Sequence, residues 1–205
     1  MDTPAEFVFS FRSPYAWIAA QCVLPGLPAG TPVRWLPFFP LPEFENFPPP
    51  LPAKLRYLVR DVTRLTKFYG LALKWPSGDD PDWAIPHCAW LHAEAQGRGV
   101  PFALALYAAR FSRGEDVADP DVLGRAAEVA DLDPDPLRAA ARDEAGHAAL
   151  TERIRGDFEQ RDIFGVPLFI APRGSRFWGH DRIDWAIRAW LISQGKALAG
   201  RERPS

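Results

Sequence analysis

The chain has 205 residues, of which 47% are hydrophobic and 24% are charged, and its formal net charge is -2. This composition is that of a globular protein and excludes a disordered or fibrous one. The near balance of charges gives no overall field that would draw the chain to nucleic acid or to an anionic membrane, so neither is expected as a partner. Two cysteines, Cys22 and Cys88, are too few for a disulfide framework, which favours a reducing, cytoplasmic location.

No targeting or membrane-spanning segment is predicted. Residues 1–6 carry acidic side chains where a secretory signal has basic ones. Residues 13–33 are uncharged, but four prolines and two glycines interrupt them, and their apolar runs are too short to span a bilayer. We therefore expect a soluble protein.

The chain opens with the pattern of a β-α-β unit. In residues 6–11, three phenylalanines occupy every second position, and this period of two predicts a strand. Val8 lies among the alternate positions, on the opposite face, which indicates that both faces are partly buried. Ser13 and Pro14 follow at once, as a preferred N-cap residue and a preferred first helical residue. A helix should therefore begin there, and a second strand is predicted at residues 32–36.

Proline is unusually frequent in the next segment. The chain has 22 prolines, and ten of them lie between Pro25 and Pro52. No helix or central strand can cross residues 37–52. A stiff linker is one interpretation, but the apolar side chains of this segment favour a packed, extended loop, and such loops often cover a site.

Helical patterns dominate the middle of the chain, and strand patterns return near its end. Helices are predicted at residues 55–69, 85–96, 102–112, 122–130, 137–145 and 148–160, with Asp119-Pro120 and Asp135-Pro136 as starts and Gly70 as an end. Strands at residues 165–170 and 176–178 and a last helix follow. The order predicts an α/β fold with one discontinuous domain, residues 1–50 and 161–205, and a helical insertion domain, residues 51–160.

Four segments carry a family resemblance. In order, they are residues 9–17 (FSFRSPYAW), 54–61 (KLRYLVRD), 164–169 (FGVPLF) and 177–182 (FWGHDR). They resemble the "SPY", "K-x-x-Y-x-x-x-D", "FGVPTF" and "FWGxDR" motifs of the DsbA-like family that contains 2-hydroxychromene-2-carboxylate isomerases and kappa-class glutathione transferases. The resemblance covers nearly the whole chain. It implies a thioredoxin-like fold with a large all-helical insertion.

The resemblance implies that Ser13 holds the thiolate of glutathione. Redox-active relatives have a C-x-x-C pair at this turn, whereas this chain has Ser13 and Ala16, so direct dithiol-disulfide exchange is not expected there. Ser followed by Pro is, on its own, an ordinary helix N-cap. In the family context, the hydroxyl and the helix N-terminus would stabilise a borrowed thiolate.

The resemblance also implies a cis peptide bond between Val166 and Pro167, facing the Ser13 turn. The backbone of Val166 would then pair with the cysteinyl backbone of glutathione. From the sequence alone, a proline in an apolar strand indicates either an edge strand or a special site.

The remaining residues implied by the resemblance bind the two ends of glutathione. Asp181 and Arg182 would meet the ammonium and carboxylate groups of the γ-glutamyl end, and Lys54 would meet the glycyl carboxylate. Asn46 matches the family's loop asparagine. Without the resemblance, Asp181 is a helix cap, and Arg182 and Lys54 are solvated side chains.

The family context implies a glutathione-dependent isomerase of an aromatic-derived enone or chromene carboxylate. A kappa-like glutathione transferase is the alternative, and a non-catalytic DsbA-like binding or chaperone-type protein is the alternative of another class. The expected partners are a small-molecule substrate, glutathione and a second copy in a homodimer. An apolar pocket could be walled by aromatic side chains, namely Tyr15, Trp17, Phe38, Phe39 and Phe44.

A metal site is not expected. Cys88 and His92 lie four residues apart on a predicted helix, but two ligands do not define a site. Two departures from the family pattern lie near the predicted site: Ser10 replaces an acidic residue, and the connection at residues 171–175 is longer than usual. Both departures bear on the identity of the substrate more than on the fold.

Overall fold

A computed structural model describes residues 4–26, 32–41, 51–172 and 174–193. The strands in this part of the chain form one mixed sheet in the order β2-β1-β3-β4. Strand β1 (Ala5–Phe9) pairs in parallel with β2 (Val33–Pro37) and antiparallel with β3 (Leu168–Ile170), which pairs antiparallel with β4 (Arg176–Trp178). This arrangement confirms the predicted α/β order of β-α-β, helical block and β-β-α.

The helices occur along the chain in the expected order, between the strands and after the last one. They are α1 (Pro14–Ile18), α2 (Pro52–Tyr69), α3 (Ala84–Ala95), α4 (Gly99–Tyr107), α5 (Pro120–Val129), α6 (Pro134–Ala141), α7 (Glu144–Arg161) and α8 (Ile183–Ser193). A π-helical turn continues α1 over Ala19–Val23 and α4 over Ala108–Ser112, and a 3-10 turn, His180–Arg182, precedes α8. Within the described ranges, none of these helices is both long and apolar enough to cross a bilayer.

Helix starts and ends obey local chemistry, although α4, α6 and α7 begin two to four residues earlier than predicted. Asp119 caps α5 and Gly70, at φ 68°, ends α2, as predicted. Helix α6 begins two residues earlier than expected, because Asp133 rather than Asp135 is its cap and accepts a hydrogen bond from the Asp135 N–H. The sequence repeats Asp-Pro in tandem, and Pro136 is tolerated in the first turn, where N–H groups have no helical partner.

Two hydrophobic clusters lie on the two faces of the sheet. Phe7 and Phe9 of β1 pack in the larger cluster with residues of α1, α3 and α4, and Val8 packs in the smaller one with residues of α7. All three side chains are fully buried, which confirms that β1 is covered on both faces. Because the larger cluster runs from the sheet into the helices, the division into domains at residues 50 and 160 stays a prediction.

The described part of the proline-rich segment is packed. Phe38, Phe39 and Leu41 are buried in the smaller cluster, which favours the packed loop over the stiff linker. Residues 42–50, which include Phe44 and Asn46, lie outside the described residues. The prediction for Asn46 therefore stays a prediction.

Replacing Phe9 by alanine should lower the free energy of unfolding by about 3–5 kcal/mol, because it leaves a cavity where the ring now meets Trp35, Trp90 and Phe11. Urea denaturation measures the change. Phe68→Ala is the matched control, since that ring is 80% exposed and its loss should cost less than about 0.5 kcal/mol. Equal losses in both variants would contradict this description of the core.

Candidate functional site

Ser13 caps the start of α1. Its backbone is extended (φ -94°, ψ 114°), and its Oγ accepts a hydrogen bond from the Ala16 N–H at 3.2 Å. The half-buried hydroxyl keeps its own proton free to donate. Pro14 has no N–H, and Tyr15 occupies a position whose N–H has no acceptor within the helix. The helix therefore begins where the sequence predicted, with the Ser13 hydroxyl and the Tyr15 N–H at its positive end.

The peptide bond between Val166 and Pro167 is cis, as the resemblance implied. The antiparallel register pairs Val8 of β1 with Leu168 of β3. One step before Leu168, Pro167 therefore lies next to the C-terminal end of β1, from which the chain continues into the Ser13 turn. The N–H and C=O of half-buried Val166 form no hydrogen bond to the described residues. The backbone of Val166 is therefore able to pair with a bound peptide.

The turn with Asp181 and Arg182 begins next to the cis-proline. The Gly179 N–H donates to the Pro167 carbonyl at 3.0 Å. Asp181 and Arg182 are exposed, and Arg182 Nη1 lies 3.4 Å from Asp181 Oδ2. Gly179, at φ 111°, precedes the 3-10 turn and gives it no side-chain cap. The two side chains thus form an exposed ion pair with each other, and their role as glutathione ligands stays a prediction.

Lys54 lies in the first turn of α2, and its side chain is exposed. Leu51 precedes this helix and gives it no side-chain cap, so a carboxylate near Lys54 would also meet free N–H groups. Lys54 shares a helix face with Asp61, about 10 Å further along the axis. Because α2 packs against α1, this face belongs to the surroundings of Ser13.

Asp61 links α2 to α1 and was not among the predicted site residues. It accepts hydrogen bonds from the Tyr15 hydroxyl at 2.9 Å and from Arg64 at 2.8 Å. Burial alone would raise the pKa of Asp61, but the hydrogen bonds from Arg64 and Tyr15 outweigh it and lower the pKa. Burial and Asp61 together raise the pKa of Tyr15, which stays a neutral donor. The motif at residues 54–61 ends in Asp61 and is the signal that could have identified it.

His180 is a second residue that the sequence did not single out for the site. Its ring stacks on Tyr15, with ring centres 5.8 Å apart, and meets the edge of Tyr69 at 6.2 Å. Burial lowers the pKa of His180, while the charges of Asp181 and Asp61 act in the opposite direction. The imidazole is therefore neutral near pH 7 and holds α1 against the turn that carries Asp181.

Side chains from the helical block hold the turn between β1 and α1. His87 Nε2, from α3, accepts a hydrogen bond from the Phe11 N–H at 3.3 Å, and its Nδ1 lies 2.6 Å from the Trp83 carbonyl. The Tyr107 hydroxyl, from α4, donates to the Ser10 carbonyl at 3.0 Å. The position of Ser13 therefore depends on helices that lie outside the predicted thioredoxin-like segments.

Most of the aromatic residues predicted to wall a pocket pack in the core instead. Trp17 is buried and stacks on Phe111 at 5.3 Å, and Phe38 and Phe39 belong to the smaller cluster. The apolar face of α1 must be buried against the sheet, and this requirement directs Trp17 inward. Of the described members of that set, only Tyr15 lies at the site.

The Cys88–His92 pair does not form part of a metal site in the described residues, where no group of three potential ligands occurs. Cys88 is buried, and burial raises the pKa of its thiol to about 11. His92 Nε2 lies 2.8 Å from the Gln96 amide. The two side chains therefore have separate surroundings.

The arrangement of the strands, the cis-proline and the Ser13 turn agrees with a family model. The DSBA-like thioredoxin domain model matches residues 5–187. The chain belongs to the DsbA-like thioredoxin domain family. A comparison with curated proteins gives no match.

Solved structures of this family have the same fold. A 2-hydroxychromene-2-carboxylate isomerase superposes with a TM-score of 0.77 and 21% identity, over 93% of this chain and 97% of that one. A probable DsbA oxidoreductase from Streptomyces coelicolor gives 0.76 and 19%, over 98% and 93%. The cytosolic disulfide reductase DsbM from Pseudomonas aeruginosa, solved with GSH, gives 0.66 and 19%, over 93% and 98%. Identities this low show the fold alone.

His87 should make folding stability depend on pH. Burial lowers its pKa to about 4 from an ordinary value of 6.5, although the hydrogen bond to the Trp83 carbonyl acts in the opposite direction. Above the ordinary pKa, His87 is neutral in both the folded and the unfolded chain and adds no pH dependence. Below it, the unfolded chain takes up the proton first, so the free energy of unfolding should fall by about 2 kcal/mol between roughly pH 7 and pH 5.

Urea denaturation at several pH values, with wild type and His87→Asn, measures this contribution. The variant should be less stable at neutral pH and should lose this part of the slope. His92→Gln is the control and should keep the slope of the wild type. The same slope in His87→Asn and wild type would show that His87 is not the titrating group.

Proposed function

We propose that this chain is a glutathione-dependent isomerase of an aromatic-derived enone or chromene carboxylate, with the glutathione thiolate held at Ser13. The position of Ser13 carries the proposal. Its hydroxyl lies at the N-terminus of α1, and the cis-proline directly precedes β3, the strand that pairs antiparallel with β1. A thiolate there would receive hydrogen bonds and the favourable field of the helix, both of which lower a thiol pKa.

The chain has no thiol of its own suited to this position. Neither Ser13 nor Ala16 is a cysteine. Cys22 lies beyond α1, and burial raises its pKa, as it does for Cys88. Both thiols therefore stay protonated at neutral pH. This chemistry favours a borrowed thiol over the dithiol exchange of disulfide reductases.

The similar structures support the proposal without deciding it. A 2-hydroxychromene-2-carboxylate isomerase is among them, and the disulfide reductase DsbM was solved with GSH. The surroundings of Ser13 fit glutathione in its extended form. The backbone of Val166 suits the cysteinyl unit, Asp181 and Arg182 suit the charged γ-glutamyl end, and Lys54 suits the glycyl carboxylate.

When bound, glutathione supplies a thiolate that can add to an activated carbon of the substrate and later leave it. The protein's own residues lower the thiol pKa and fix the orientation of the cofactor. Ser13 donates a hydrogen bond to the sulfur. Tyr15, held by Asp61 and stacked on His180, keeps the start of α1 in place. The thiol proton goes to water, and no proton relay in the protein is needed for this step.

We further propose that the partners are glutathione and a small aromatic-derived molecule, that the protein acts in the cytoplasm, and that it forms a homodimer. The low cysteine content fits a reducing compartment. Equilibrium ultracentrifugation tests the homodimer. It should give twice the mass of the chain.

Calorimetric titration with millimolar glutathione tests the binding step. Wild type should bind, and Ser13→Ala should raise the pKa of the bound thiol, seen as a loss of ultraviolet thiolate absorbance at neutral pH. Removing one hydrogen bond to a charged group should cost about 1.5–3 kcal/mol, or one to two pKa units. Ser77→Ala, in an exposed loop, is the control. An absence of glutathione binding would favour a non-catalytic DsbA-like protein instead.

Incubation with glutathione and a chromophoric enone distinguishes an isomerase from a transferase. An isomerase should convert the enone between its isomers while the concentration of free glutathione stays constant. Steady consumption of glutathione, with a stable conjugate as product, would instead identify a kappa-like glutathione transferase.

A further inference from the structure

Arg12 lies directly before Ser13 and belongs to a group of three charged side chains. Its Nε donates to Asp80 Oδ2 at 2.9 Å, and the other oxygen of Asp80 lies 3.3 Å from Nη2 of Arg110. One carboxylate therefore serves two guanidinium groups. The group keeps one net positive charge.

The burial of Arg110 is energetically unfavourable. Arg110 is only 8% exposed, its guanidinium lies 4.8 Å from the centre of the Trp83 ring, and its buried Nε has no hydrogen-bond partner in the described part of the chain. Burial lowers the pKa of Arg110, while Asp80 and Asp116 act in the opposite direction. A buried cation with one ion pair and an unpaired donor does not stabilise a fold well. Its position is better explained by a role in the site.

The arrangement leaves the far side of Arg12 available. Asp80 contacts only the Nε of Arg12, and the side chain is 46% exposed. Its two terminal nitrogens form no hydrogen bond to the residues that the structure describes. They form a planar fork, which matches the two oxygens of a carboxylate. Arg12 directly precedes Ser13, the N-cap of α1, and therefore belongs to the same turn.

We propose that Arg12, held by Asp80 and Arg110, is the specificity-determining residue that binds a carboxylate of the small-molecule substrate beside Ser13. This inference rests on the proposed function, because it concerns the second substrate of the same site. Among aromatic-derived electrophiles, Arg12 selects those that carry a carboxylate. The terminal nitrogens of Arg12, which Asp80 leaves unoccupied, bind the carboxylate and orient it.

Cinnamate and cinnamamide are suitable probes, because they have nearly the same shape and differ in charge. In calorimetric titrations, wild type should bind cinnamate about tenfold to a hundredfold more tightly than cinnamamide, as expected for a charge-assisted pair. Arg12→Gln should remove this difference, and Arg12→Lys should keep only part of it. The difference in wild type should also shrink at high salt.

Arg113→Gln is the matched control, since Arg113 is equally exposed and pairs with Glu115 as Arg12 pairs with Asp80. It should keep the preference for cinnamate. An unchanged preference in Arg12→Gln, or equal binding of both probes to wild type, would overturn the assignment of Arg12. Glutathione titrations on the same samples separate the two proposals. If wild type binds glutathione but shows no preference for cinnamate, the assignment of Arg12 fails alone.

Discussion

The fixed geometry of the turn between β1 and α1 is the constraint on which the rest of the site depends. The strand before it is buried on both faces. The backbone of the turn itself is held at Phe11 and Ser10 by hydrogen bonds to His87 and Tyr107, which lie on two different helices. Buried hydrogen bonds of this kind are costly to break, because each leaves a polar group without a partner. The inserted helices therefore contribute directly to the site. They determine where α1 begins and where Ser13 lies.

A helix N-terminus and a hydroxyl can together lower the pKa of a thiol that belongs to a bound cofactor and not to the protein. Relatives with a C-x-x-C pair use the same helix end to lower the pKa of their first cysteine. In this chain Ser13 occupies that position, at the N-terminus of α1. In the proposed function, the reacting sulfur comes from bound glutathione. The half-buried backbone of Val166 offers the second requirement, a surface on which an extended peptide can pair.

Local chemistry made several features predictable from the sequence. Ser13-Pro14 specified a helix start, Gly70 specified a helix end, and Val8 indicated a strand covered on both faces. The cis bond before Pro167 followed only from the family resemblance, since most X-Pro bonds are trans. These features depend on a few adjacent residues or on a motif.

Features that depend on tertiary contacts were not predictable. The bond between Tyr15 and Asp61 joins residues 46 positions apart, and the Arg12–Asp80 pair joins residues 68 apart. No periodicity in the sequence reports such pairs. Trp17 was expected near a pocket, but packing of α1 against the sheet directs it into the core. The tandem Asp-Pro pairs before α6 offered two equivalent caps, and only the fold selects Asp133.

The pKa of the glutathione thiol in the complex with wild type shows whether Ser13 and the N-terminus of α1 stabilise the thiolate. It is measured from the ultraviolet absorbance of the thiolate as the pH is raised. An ordinary thiol has a pKa of about 8.5. We expect the pKa of the bound thiol to be lower by about one unit or more, because the helix N-terminus and Ser13 favour the charged form. A bound thiol with an ordinary or raised pKa would contradict the account.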